Sequence, residues 1–125
     1  MNVPENLKYT EEHEWIKVDQ NIATVGVTDY AQGELGDVVF VEMPTLGKSF
    51  KKGDVVASIE AVKTVAEVYL PVSGKVVELN DALNDAPESI NEDAFGNGWM
   101  FKIEMSDPSE LDSLMTAERY KDLIE

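Results

Sequence analysis

MPTLGKSFKKGDVV (residues 43–56) and LPVSGKVVELNDAL (residues 70–83) are two copies of one pattern, and reading them as a pair decides the fold. Both run apolar-Pro-x-x-Gly-Lys-x-apolar and close on an Asp, with Pro44 and Pro71, Gly47 and Gly74, Lys48 and Lys75, and Asp54 and Asp81 in register at an offset of 27 residues. A strand-like run precedes each proline, VVFVEM in one copy and TVAEVYL in the other. Strand, turn, strand, turn, repeated and too short to stand alone, predicts a small β-sandwich or flattened barrel with an internal pseudo-two-fold. Between the copies lies SIEAVKTVAEVY (residues 58–69), where a hairpin must reverse direction. One lysine, Lys63, sits there among small and β-branched residues, with Glu60 and Glu67 on either side. A hairpin tip at the seam of a sandwich is exposed and held firmly by its strands. Lys63 is therefore either an ordinary turn lysine or a modification site.

The flanks supply further elements. EWIKV (14–18) and NIATVGVT (21–28) read as strands joined by an Asp19-Gln20-Asn21 turn, and TDYAQGELGD (28–37) as a short helix capped by Thr28 or Asp29 and ended by Gly36. GWMFKIEM (98–105) is a strand with Trp99, Phe101 and Ile103 expected on one face. In SDPSELDSLM, Asp107 is an N-cap, Pro108 the first helical residue and Glu110 placed to complete a capping box. The stripes Leu111, Leu114, Met115 and Tyr120, Leu123, Ile124 fit two short helices broken at a second cap, Thr116, better than one.

At 125 residues the chain is one domain. Its organisation reads as an N-terminal strand extension (1–37), the pseudo-two-fold core (38–83) and a C-terminal strand with helices (84–125). Hydrophobic residues at 43 % and charged residues at 28 % describe a globular chain. A formal charge of −15 opposes binding to nucleic acid or to an anionic membrane, and residues 76–101 hold six acids and no base. Such a surface either serves solubility or steers the chain toward basic partners. No run approaches the ~18 apolar residues of a membrane span, and the N-terminus resembles neither a signal nor a transit peptide. A cytoplasmic, bacterial-type protein is expected. The chain has no cysteine and one histidine, His13, which argues against disulfides, thiol chemistry and the common zinc sites. His13 reads as structural or as a partner contact, with no serine or second histidine to form a triad. Redox or nucleophilic chemistry must come from something attached.

LKYTEEHEW, TVGVTDYAQGELGDVVFVEMP, KKGD, IEAVKTVAEVYLPVSGKVVELN and GNGWMFKIEMSDPSELDSLM, in that order, resemble the H protein of the glycine cleavage system, from Leu7 to Ile124. Ala61 stands where that family often has serine, a change that leaves the setting of the lysine intact. The resemblance implies a mainly β, lipoyl-domain-like flattened barrel of two quasi-repeated halves, with short helices that include a C-terminal pair. It implies that Lys63 carries lipoic acid as a covalent lipoyl-lysine and that the chain is a non-catalytic carrier, with no catalytic and no metal-binding residue of its own. The implied partners are a pyridoxal-phosphate glycine decarboxylase (P protein), an aminomethyltransferase (T protein), a dihydrolipoyl dehydrogenase (L protein) and a lipoylating enzyme, each met by a monomeric carrier. The aminomethyl end of the arm is cationic near neutral pH, so Glu14 and Glu67 are expected to shelter it, and Glu60 to guide lipoylation. Two other readings stay open: an H-like relay that passes lipoyl groups to other enzymes, and an unmodified acidic β-rich interaction module.

Overall fold

Short β-branched runs, each stopped by Gly, Asp or Asn, become short antiparallel strands. The structure, a computed structural model, describes residues 3–125. In chain order the strands are β1 (Lys8–Tyr9), β2 (Glu14–Asp19), β3 (Ile22–Val27), β4 (Val38–Glu42), β5 (Ser49–Phe50), β6 (Val55–Ala61), β7 (Val65–Tyr69), β8 (Gly74–Leu79) and β9 (Phe101–Met105). The helices are α1 (Asp29–Leu35), α2 (Ala82–Asp85), α3 (Ser89–Glu92) and α4 (Ala117–Ile124), with a 3-10 turn at Pro108–Ser113. One sheet runs β1-β2-β3-β9-β8-β5 and the other β4-β6-β7. Their inner faces share one core, in which Val25, Ile59, Val68, Val76 and Ile103 are buried together. This is the expected β architecture of two sheets with short helices.

The two copies of the repeat meet each other. Their Gly-Lys segments pair as β5 and β8, with Ser49 opposite Lys75 and Phe50 opposite Gly74. Their pre-proline strands, β4 and β7, flank β6 on its two sides. The copies diverge after the shared Asp: Asp54 leads into β6, whereas Asp81 leads into α2. The buried Asn80 side chain makes that turn, donating to the carbonyls of Asn97 and Trp99.

Several local expectations need adjustment. In β9 the inward residues are Phe101, Ile103 and Met105, while Trp99 precedes the strand and lies half-buried with the Lys102 ammonium over its ring. Asp107 does accept from the Ser109 N–H, but Glu110 does not close a capping box. Its carboxylate instead takes the backbone N–H and the hydroxyl of Ser73 at 2.7 and 2.9 Å, tying the 3-10 turn to the turn before β8. Thr116 caps α4 by accepting from the Arg119 N–H, so the C-terminal pair is broken where the stripes required. Leu123 faces solvent, and α4 docks through Ala117 and Tyr120 instead.

That docking builds a second apolar cluster of Leu7, Tyr9, Trp15, Ala117 and Tyr120. The Tyr9 and Tyr120 rings stack at 4.7 Å. Trp15 lies across its strand partner Gly26, where a Cβ would stand 2.7 Å from the indole, so only glycine fits. With Ile16 buried in the main core and Trp15 in this cluster, the start of β2 is covered on both faces.

Candidate functional site: a hairpin-tip lysine and an acid-lined cleft

The β6–β7 hairpin presents Lys63 at its tip. The Ala61 N–H donates to the Thr64 carbonyl at 2.8 Å and closes the turn, while the Val62 N–H is anchored on the Asp37 carbonyl at 3.0 Å. Val62, Lys63 and Thr64 are all exposed. The lysine thus stands free on a backbone that is fixed on both sides. Glu60 lies on the outer face of the same hairpin, exposed between its cross-strand partners Phe40 and Val65.

Further along β7 the hairpin forms one wall of a cleft of about 300 Å³. Ile59, Ala66 and Val68 supply that wall, and Val27, Ala31 and Leu35 face them from β3 and α1. Four carboxylates, Glu12, Glu14, Glu34 and Glu67, line the same cleft, and among the described residues no lysine or arginine does. At ~3.3 Å per strand residue, Glu67 lies roughly 13 Å along the hairpin from Lys63.

Glu14 and Glu67, the two residues expected to share a site, do line one cleft, but in different states. Glu67 is exposed. Glu14 is 2 % exposed and fixed at both oxygens: Oε1 accepts from the Thr10 hydroxyl at 2.6 Å and Oε2 from the Tyr69 N–H at 3.1 Å. Burial is the main influence on its carboxyl and pushes it up to about 7, against the pull of those two hydrogen bonds. An apolar pocket ending in a desolvated carboxylate suits an alkyl chain that ends in a cation.

His13 occupies a left-handed backbone position, φ 68°, held by hydrogen bonds from its N–H to the Thr10 carbonyl and from the Thr28 N–H to its own carbonyl. Its ring lines the cleft between Tyr30 and Tyr120. Sequence reasoning did not single out Tyr30 and Glu34. Their i, i+4 spacing on α1 puts them on one helix face, which was the available signal. The aim of that face was not available, because it depends on how α1 packs.

Comparison with known proteins identifies the family. The family model described as "Glycine cleavage H-protein" matches residues 7–125. The glycine cleavage system H protein of Staphylococcus haemolyticus is 55 % identical over 124 residues, covering 99 % of this chain and 98 % of the relative. That of Staphylococcus saprophyticus is 54 % identical over the same shares. The crystal structure of a glycine cleavage system H protein from Mycobacterium marinum superposes with a TM-score of 0.89 at 33 % identity, covering 96 % of this chain and 97 % of that one. On sequence and fold alike, the chain belongs to the glycine cleavage H-protein family, a family of non-catalytic lipoyl carriers.

Proposed function

We propose that the chain is the aminomethyl shuttle of the glycine cleavage system, with its lipoyl group in amide linkage to Lys63. The observation that carries this reading is one hairpin bearing both an exposed tip lysine and the wall of an apolar cleft whose acidic lining groups, Glu12, Glu14, Glu34 and Glu67, face no lysine or arginine among the described residues. Bound lipoate would supply a disulfide that is reduced as it takes up the one-carbon unit, and so a dithiol that afterwards gives two reducing equivalents to the dihydrolipoyl dehydrogenase. The chain's own residues do the rest. Lys63 displays the group on a mobile stem. Ile59, Ala66, Leu35 and Val68 cover its alkyl portion, and Glu14 and Glu67 receive the cationic end. Transfer between the glycine decarboxylase, the aminomethyltransferase and the dihydrolipoyl dehydrogenase then relies on tethering, which raises the local concentration of the group at each docked enzyme.

The cleft favours a shuttle over a relay of lipoyl groups, because a relay has no cationic cargo to protect. A direct test supplies the lipoylated chain with glycine and the decarboxylase, and follows the loaded carrier by mass. A shuttle shows an aminomethyl increment that persists, and decays several-fold faster in Glu14→Gln and in Glu67→Gln. A relay shows no increment. Unchanged decay in both variants would remove these glutamates from the site.

A further inference from the structure

We propose that His13 is a positioning residue of the cleft, held neutral as the Nε2–H tautomer by the hydroxyl chain of Thr28 and Tyr120. The chain thereby keeps positive charge out of the pocket that takes the cationic end group. The inference rests on the cleft reading above for its purpose, but its physical basis is independent of it.

The basis is a count of hydrogens. Thr28 Oγ1 accepts from the Ala31 N–H as the cap of α1, and lies 2.7 Å from Tyr120 Oη. Tyr120 Oη in turn lies 2.9 Å from His13 Nδ1. Thr28 and Tyr120 are buried, and among the described residues the Thr28 hydroxyl meets one acceptor, Tyr120 Oη. So Thr28 donates to Tyr120, Tyr120 donates to Nδ1, and the imidazole hydrogen belongs on Nε2. Protonating His13 would put a hydrogen on Nδ1 and leave one hydroxyl hydrogen of the buried Thr28–Tyr120 pair with no acceptor. Only the neutral Nε2–H tautomer satisfies every partner.

The groups around the ring make this consequential. Glu12 from the β1–β2 turn, Glu34 and Tyr30 from α1, Tyr120 from α4, and Glu14 and Glu67 from β2 and β7 surround the cleft. Carboxylates in that number invite a histidine to take a proton. Burial opposes them and holds His13 below its ordinary value, with Glu12 and Glu34 pulling upward. Tyr120 is itself clamped by stacking on Tyr9, so α4, remote from Lys63 in the chain, fixes the charge of the cleft.

The single histidine gives a clean reporter. Long-range nitrogen–proton correlation spectra of the unmodified chain should show His13 as the Nε2–H tautomer at pH 7. In Tyr120→Phe its titration midpoint should move to higher pH. An Nδ1–H tautomer, an imidazolium at pH 7 or an unmoved midpoint in the variant would each overturn the proposal, whether or not the chain proves to be a shuttle. In the loaded carrier, Tyr120→Phe should shorten the lifetime of the cargo roughly threefold or more at pH 6.5 and leave it unchanged at pH 8.5. A second change, His13→Asn, keeps a residue that tolerates the left-handed backbone but cannot be charged, and should restore the lifetime at pH 6.5. Equal shortening at both pH values would mean that Tyr120 acts only through packing.

Discussion

Glu14 is a buried carboxyl with two donors and, among the described residues, no cationic partner, which makes the protein's stability depend on pH in a definite direction. Its folded value of about 7 lies above the ordinary 4.5, so the folded chain retains a proton that the unfolded chain releases between those values. The contribution is complete below about pH 4.5 and is lost as pH rises toward 7, a change of about 3 kcal/mol. Glu14→Gln mimics the protonated acid: its amide can donate to Thr10 Oγ1 while its oxygen keeps the Tyr69 N–H. Urea unfolding at pH 5 and pH 8 should therefore show the native chain losing about 2.5 kcal/mol more than the variant between the two. Equal losses would mean that Glu14 is solvated. The sequence showed Glu14 and Glu67 as candidates because the tip lysine and the family pattern pointed to them. It could not show that one is buried and the other exposed. Burial of Glu14 needs β2 covered on both faces, and the second cover comes from Ala117 and Tyr120, about a hundred residues away in the chain.

Among elements, the β6–β7 hairpin and the β8–β9 pair carry opposite demands. On the proposed function the hairpin must offer its tip to an enzyme, and Glu60 is exposed one row below that tip. Glu60→Ala should slow lipoylation several-fold while leaving the melting temperature in place. Normal modification kinetics would remove Glu60 from recognition. In β8, Gly74 packs so closely on β9 that a Cβ would fall on the Glu104 carbonyl oxygen. Gly74→Ala should destabilise the fold by about 2 kcal/mol or more, read by urea unfolding. A neutral result would mean that β8 and β9 can separate at that point. Turn residues made these strands and the caps at Thr28 and Thr116 legible, since the chemistry of a cap is local. Glu110 was misread for the same reason. The local rule offered it the first turn of its own helix, whereas Ser73, 37 residues away, offers two donors.

At the scale of the whole molecule, sheet order creates the site. Strands β3 and β9 pair although more than seventy residues separate them, and α1 is thereby held over the β6–β7 hairpin to close the cleft. Periodicity names strands without ordering them, so the cleft was not legible even though most of its walls were. A net charge of −15 surrounds it, and association with basic partner enzymes should slow about tenfold or more as salt rises from millimolar to physiological levels. A salt-independent on-rate would assign the acidic surplus to solubility alone. The proposed shuttle depends on one covalent bond. Intact mass and peptide mapping after expression with lipoate and a lipoylating enzyme, beside Lys63→Arg, test it directly. The account predicts a lipoyl-sized increment on the peptide containing Lys63 and none in the variant. No increment in the native chain while a control carrier is modified, or an increment on another lysine, would contradict it.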